Sequence, residues 1–263
     1  MDCITLNTSL LLNFCKQDLI DRYSGSILGG AWSFVMPLVN ILIFTLVFSK
    51  IMGARLEFLG AEFTEYSYSI YLVAGMLAWN AFANTLLRVT NIFNDKGGLI
   101  AKVNMSLLQL PLYIVLTETV IFIISLVFFV GFLLLIDFPI TIHWLLIPVV
   151  FVVQQLLAFA LGFIFATLSV FIRDIREFIN VILQLWFWFT PIVYIVDILP
   201  ESARQLFSIN PMYLLVSAYR DLVLFHQLPN FSHLVALLAF GGCLMTLGVY
   251  VFRKLERDIR DFI

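Results

Sequence analysis

Charge is scarce in this sequence: of its 263 residues only 12% are Asp, Glu, Lys or Arg, and 62% are hydrophobic. Soluble domains carry about 25% charged and about 45–50% apolar residues, so a water-facing globule is excluded. The segments 23–49 and 144–172 contain no charge at all. A hydrocarbon core about 30 Å thick takes about 20 residues of helix to cross. The chain therefore reads as an all-α integral membrane protein, with room for six spans and short loops but for no sizeable soluble domain.

Other absences narrow the chemistry. No GxxxxGK[ST] loop is present; Gly29-Gly30 and Lys96-Gly97-Gly98 lack the spacing that cradles nucleotide phosphates and magnesium. If nucleotide hydrolysis drives this protein, ATP and Mg belong to a partner, and this chain carries no cofactor. Three cysteines, Cys3, Cys15 and Cys243, form no CxxC and read as free thiols without a metal role. Fifteen basic residues against seventeen acidic ones, scattered along the chain, argue against a nucleic-acid surface. The three histidines, His143, His226 and His233, fall in or beside outer loops, and no acid/base pair sits at depth, so the chain is not expected to be an enzyme. The N-terminus, MDCITLNTSL, has no basic n-region, and the first long apolar run exceeds a signal-peptide core, so the first span is expected to be retained.

Uncharged windows place spans at 32–49, 66–87, 110–136, 144–172, 178–196 and 234–252. The stretch 205–219, interrupted by Asn210 and Pro211, is too short to cross and suits short re-entrant outer helices between spans five and six. With the N-terminus inside, eleven of the fifteen Lys and Arg lie in cytoplasmic segments, and four, Lys50, Arg55, Arg204 and Arg220, in outer ones. That asymmetry puts both termini in the cytoplasm. Ahead of the first span, 10–23 sets Leu12, Leu19 and Ile20 along one side and Lys16, Gln17, Asp21 and Arg22 largely along another. This is the pattern of an amphipathic helix on the inner leaflet.

Glu118 is the lone ionisable group inside an expected span. Such a group marks a functional hypothesis; it reads as a packing or gating contact to another helix, or as an ion-coupling site. Two inner loops, 91–109 with Asp95, Lys96 and Lys102, and 171–178 with Arg173, Asp174 and Arg176, read either as topological anchors or as grips for a cytoplasmic subunit.

At these residues a resemblance emerges. DRYSGSILGGAWSFVMPLVNILIFTLVFSKI (21–51), LVAGMLAWNAF (72–82), FIRDI (171–175), TPIVY (190–194), INPMY (209–213) and AYRD (218–221) resemble, in order and over nearly the whole chain, the ABC-2 type polysaccharide export permeases of O-antigen, capsule and teichoic acid. KVNMSLLQLP (102–111) keeps the Lys and final Pro of that family's stretch before the third span but lacks its inner Pro. The resemblance implies one transmembrane domain, with a cytoplasmic tail and interfacial helix at 1–30, a six-span bundle at 31–253 and a cytoplasmic tail at 254–263. It further implies a homodimer in the inner membrane that binds two ATP-binding-cassette subunits and threads a lipid-linked polysaccharide outward. Asp95, Lys96, Lys102, Arg173, Asp174 and Arg176 then stand on coupling helices, and Asn210 and Pro211 on the re-entrant turn.

A glycan is polar at its hydroxyls and apolar on its ring faces, so a sliding conduit needs aromatic platforms and few fixed charges. Trp32, Phe34, Trp186, Trp188 and Tyr194 supply such rings; an aromatic belt at the membrane surface is the other reading. A small-molecule ABC-2 exporter of drugs or lipids, and a membrane scaffold without transport, are the alternatives.

Overall fold

The computed structural model describes residues 8–22, 26, 32, 35, 38–43, 66–100, 107–196, 201 and 207–262, and among them every regular element is a helix. In chain order these are α1 (Thr8–Asp21), α2 (Ser67–Asp95), α3 (Gly97–Ile100), α4 (Gln109–Leu135), α5 (Ile147–Ser169, entered through a 3-10 turn at Ile142–Leu146), α6 (Ile175–Trp188), α7 (Pro211–Val223) and α8 (Phe231–Phe262). Among the described residues four segments are long and apolar enough to cross a membrane: α2, α4, the unit Ile142–Ser169, and Phe231–Glu256 of α8. Most of the first expected span, 32–49, lies outside the described residues, as do Phe34 and Lys102.

Helix α5 is the axis of the bundle, with α2 and α8 packed along it. Lipid tails are as apolar as Leu, so burial alone does not hold helices together in a bilayer; close approach and interhelical hydrogen bonds do. Both are present. Gln154 Nε2 donates to Ala78 O at 3.1 Å, Ser169 Oγ donates to Thr90 O at 3.0 Å, and Asn94 Nδ2 donates to Ser169 Oγ at 3.1 Å. Between these bonds, Gly162 brings the two backbones together: a Cβ there would stand 2.9 Å from Val89 Cβ and 3.1 Å from Leu86 O. Gly162→Ala should therefore push α5 off α2 and lower stability by about 1–3 kcal/mol, the usual cost of overpacking. A thermal unfolding midpoint in detergent equal to wild type would show that the contact gives way freely.

The apolar side chains form two main cores. One joins α2, α4, α5 and α7 through residues such as Ile70, Phe82, Phe129, Leu157 and Leu222. The other, at the opposite end, gathers Leu11 of α1, Phe93, Ile100 of α3, Tyr113, Phe163, Phe252 and Ile259.

Three boundaries differ from the sequence reading. Helix α2 runs eight residues past 87 because Arg88, which should have ended a span, is neutralised by Glu118 and Asp18, and nothing breaks the helix before Lys96-Gly97-Gly98. Helix α8 continues through 252 and across the expected boundary at 253 to Phe262, since that stretch contains no Gly or Pro. The expected span at 178–196 is a helix of only 14 residues, about 21 Å at 1.5 Å per residue. It stops at Trp188 because Pro191 has no N–H to donate and its ring would strike the carbonyl of Phe187, while Thr190, preceding a proline, disfavours the helical region.

Candidate functional site

Where α6 ends, the chain turns without regular structure from 189 to 196, and its backbone carbonyls need partners. Side chains from two other helices supply them. Arg220 on α7 is 3% exposed; its Nη1 donates to Pro191 O at 2.8 Å, its Nη2 to Ile192 O at 2.9 Å and its Nε to Tyr71 O at 3.3 Å. Its guanidinium carbon lies 3.3 Å from the centroid of the Tyr71 ring, a cation–π contact. On α2, the Tyr68 hydroxyl donates to Val193 O, and the Tyr71 hydroxyl to Tyr194 O at 3.2 Å. Four successive carbonyls, 191 to 194, are thus held by side chains.

Asn210 closes the other side. Its Oδ1 accepts from Met212 N at 3.0 Å, capping α7 just ahead of Pro211, and from Trp186 Nε1 at 2.9 Å. Its Nδ2 donates to Phe189 O at 3.0 Å and to Thr190 Oγ1 at 3.2 Å. Every hydrogen-bonding position of the amide is used. Gly75 leaves the space that Arg220 occupies, since a Cβ there would lie 3.0 Å from Nη2.

This arrangement sorts the aromatic candidates. Trp186 turns into the chain, with its ring edge-on to Phe82 at 5.2 Å and one wall of an apolar groove of about 590 Å³ formed with Ile179, Leu183, Leu214, Leu237 and Phe240. Tyr194 donates from its hydroxyl to Trp188 O at 2.8 Å and packs edge-on to Phe207. Trp188, by contrast, is 60% exposed, and it continues a stripe of exposed Phe178, Val181, Ile182 and Leu185 at helical spacing. Trp32 is half-buried.

At the opposite end, Glu118 is 1% exposed and its Oε1 accepts from Arg88 Nη1 at 2.6 Å and from Arg22 Nη2 at 2.8 Å. Arg88 Nη2 in turn donates to both carboxylate oxygens of Asp18 at 2.6 Å. Helix α1 consequently docks through Leu11, Phe14, Cys15, Asp18 and Arg22, with Phe14 against Tyr113 at 5.5 Å, and leaves Leu12 and Ile20 exposed. Arg173, Asp174 and Arg176 are exposed in and just after the turn between α5 and α6, and Asp95 is exposed at the end of α2. Phe171 of that turn meets Phe262 of α8 edge-on at 5.1 Å.

His143 and His226 share a neighbour. His143 Nδ1 and His226 Nδ1 lie 3.2 Å and 3.4 Å from Thr141 Oγ1, and partial burial, followed by the neighbouring His143, holds His226 below the ordinary histidine range. No group of three His, Cys, Asp or Glu among the described residues is placed to hold a metal.

The ABC-2 type transporter model matches residues 10–224 of this chain. The chain belongs to the ABC-2 type transporter family. Within that family it is similar to an O-antigen export system permease protein RfbA of Myxococcus xanthus, 28% identical over 256 residues, which is 97% of this chain and 95% of the relative. Two proteins of the same name from Klebsiella pneumoniae are 27% and 28% identical over 255 and 256 residues, again covering 97% of this chain and 95% of each relative.

In this ABC-2 type transporter four of the stretches that carried the sequence resemblance meet in space. Gly75 of LVAGMLAWNAF, Pro191 to Tyr194 of TPIVY, Asn210 of INPMY and Arg220 of AYRD form one polar knot at the end of α6. Arg220 was counted in the sequence as an outer-loop charge; the structure buries it. Its partners are carbonyls, which leave no mark on residue identity, and the adjacent Pro191 was the one available sign that donors would be needed there. Arg22, expected on the polar side of the N-terminal helix, and Arg88, one of the eleven cytoplasmic cations, turn inward as well, and Asp18 joins them. Glu118 carried the signal, because one buried carboxylate in hydrocarbon demands a cation.

Proposed function

We propose that this chain is the permease subunit of an ATP-driven exporter that moves a lipid-linked polysaccharide, O-antigen foremost, across the cytoplasmic membrane. The observation that carries this reading is end-to-end similarity to permeases of that name, 97% of this chain against 95% of the relative, on top of the family match. In this reading the chain forms a homodimer with six spans per subunit, both termini in the cytoplasm, and α7 re-entering from outside. Two ATP-binding-cassette subunits bind below, supplying ATP and Mg.

The division of labour follows from what the side chains can do. Arg173, Asp174 and Arg176, with Asp95, Lys96 and Lys102, offer charges to a cytoplasmic partner. The turn bearing Arg173 is braced by Phe262, so a push there reaches α5, α6 and α8 together. On α6 the exposed stripe ending in Trp188 offers ring faces to sugars without a fixed charge to trap the polymer. Trp186 and Tyr194 set the shape of that surface from behind.

Co-expression with an ATP-binding-cassette subunit and a glycan-synthesis system tests the reading. The isolated chain should show no ATPase activity, and the complex should place glycan on the cell surface. Combining Arg173→Glu, Asp174→Lys and Arg176→Glu, all exposed and so neutral for folding, should cut surface glycan by about tenfold, a loss of about 1.4 kcal/mol in productive docking. Normal export by this variant at matched protein level would assign the turn to anchoring alone. A complex that binds the ATPase yet moves only small lipids would turn the reading toward a lipid exporter.

A further inference from the structure

The ion network around Glu118 has an arrangement that a fixed strut would not need. It holds two positive and two negative groups, Arg22 and Arg88 against Asp18 and Glu118, so its charges cancel. They also cancel on each side of the joint. Helix α1 contributes Asp18 and Arg22, four residues apart with the acid nearer the N-terminus, the spacing and order at which two such groups pair along one helix. The membrane-spanning helices contribute Arg88 and Glu118, already bonded at 2.6 Å.

If α1 leaves, Asp18 closes on Arg22 and Arg88 stays with Glu118. No charge is then stranded in hydrocarbon, where an unpaired one is costly. The detached helix also has somewhere to rest. Asp18 and Arg22 share a face with Leu11, Phe14 and Cys15, so at the bilayer surface the paired charges sit among the headgroups with these apolar side chains beside them. Docked and detached states therefore both satisfy every ion.

We propose that α1 is a detachable strap: it docks on α2 and α4 by trading a pair within α1, Asp18 with Arg22, and a pair between α2 and α4, Arg88 with Glu118, for one four-membered network, and it releases by the reverse exchange. Docked, it ties α2 to α4 at the end of the bundle that holds α3 and the tail of α8. Released, it leaves α2 and α4 tied at that end through Arg88 and Glu118.

Cys15, 7% exposed on the docked face, reports the exchange directly. The probe is N-ethylmaleimide on full-length protein in membranes, in a Cys3→Ser, Cys243→Ser background, with complete labelling in SDS as the reference. Exchange predicts opposite signs from the two sides of the joint. Asp18→Asn and Arg22→Gln remove a charge that headgroups and water serve after release, so they favour the detached state and should label Cys15 about tenfold faster, a shift of about 1.4 kcal/mol. Glu118→Gln removes the partner that Arg88 needs once α1 has gone, so it holds α1 down and should label more slowly than wild type. Slower labelling cannot come from misfolding, which exposes Cys15. If all three variants label faster than wild type, α1 is a static strut and the proposal falls. If Asp18→Asn and Arg22→Gln label no faster than wild type, the network does not govern release and the proposal falls equally. These outcomes do not depend on what is exported or on which ATPase binds.

Discussion

Replacing Arg220 with Leu should leave almost no folded protein. Pro191 and Ile192 would each lose the donor to a buried carbonyl, and an orphaned buried acceptor costs about 1–3 kcal/mol, so the two together take a large part of the stability of an ordinary domain, about 5–15 kcal/mol, while Tyr71 O keeps its bond within α2 and loses its second donor. Leu also gives up the cation–π contact with Tyr71. Arg220→Lys is the informative companion. An ammonium can reach one or two of the carbonyls but has no planar fork to span all three, so it should fold with a lowered thermal midpoint. Size-exclusion profiles and thermal unfolding in detergent decide the matter. A monodisperse Arg220→Leu protein with a wild-type midpoint would mean that water enters the break and serves the carbonyls unaided.

The second large effect separates two neighbouring tryptophans. Trp186→Ala removes the indole N–H that Asn210 accepts and the ring that meets Phe82, and truncating a packed aromatic of this size costs about 3–5 kcal/mol. Its loss should appear as unfolded or degraded chain. Trp188→Ala takes away a ring that touches Phe187 and is otherwise open. It should leave the unfolding free energy within about 0.5 kcal/mol of wild type, the usual range for an exposed site, and lower surface glycan per folded permease. If Trp188→Ala exports at the full rate at matched protein level, sugars do not slide along this face of α6. If Trp186→Ala is as stable as wild type, Asn210 holds the break without it.

Periodicity and hydropathy suffice to reveal helices that cross the bilayer, because hydrocarbon leaves the backbone few options. Windows at 66–87, 110–136 and 144–172 therefore match α2, α4 and the unit around α5 closely. The ends were hidden where charge was neutralised from afar: nothing local to Arg88 announces Glu118, thirty residues on, or Asp18, seventy residues back. Helix α6 was overextended for the opposite reason. Hydropathy carries smoothly across Thr190-Pro191-Ile192, and only the covalent constraint of the proline ring stops the helix. The aromatic candidates on α6 were legible as a group but not as individuals. A helical wheel sets Trp186 and Trp188 on different faces, yet which face turns inward is decided by Asn210, which is distant in sequence.

The shortness of α6 has a consequence for the membrane itself. A cylinder about 21 Å long set against about 30 Å of hydrocarbon is a hydrophobic mismatch of about 9 Å, and a bilayer meets a short helix by thinning around it. Tilting makes that mismatch worse. With α6 as one of the six spans proposed above, the leaflets beside the exposed stripe of Phe178, Val181, Ile182, Leu185 and Trp188 would be drawn toward one another. In the permease proposed above, a lipid-linked headgroup on such a flank would meet a thinner hydrocarbon barrier than beside a full-length span.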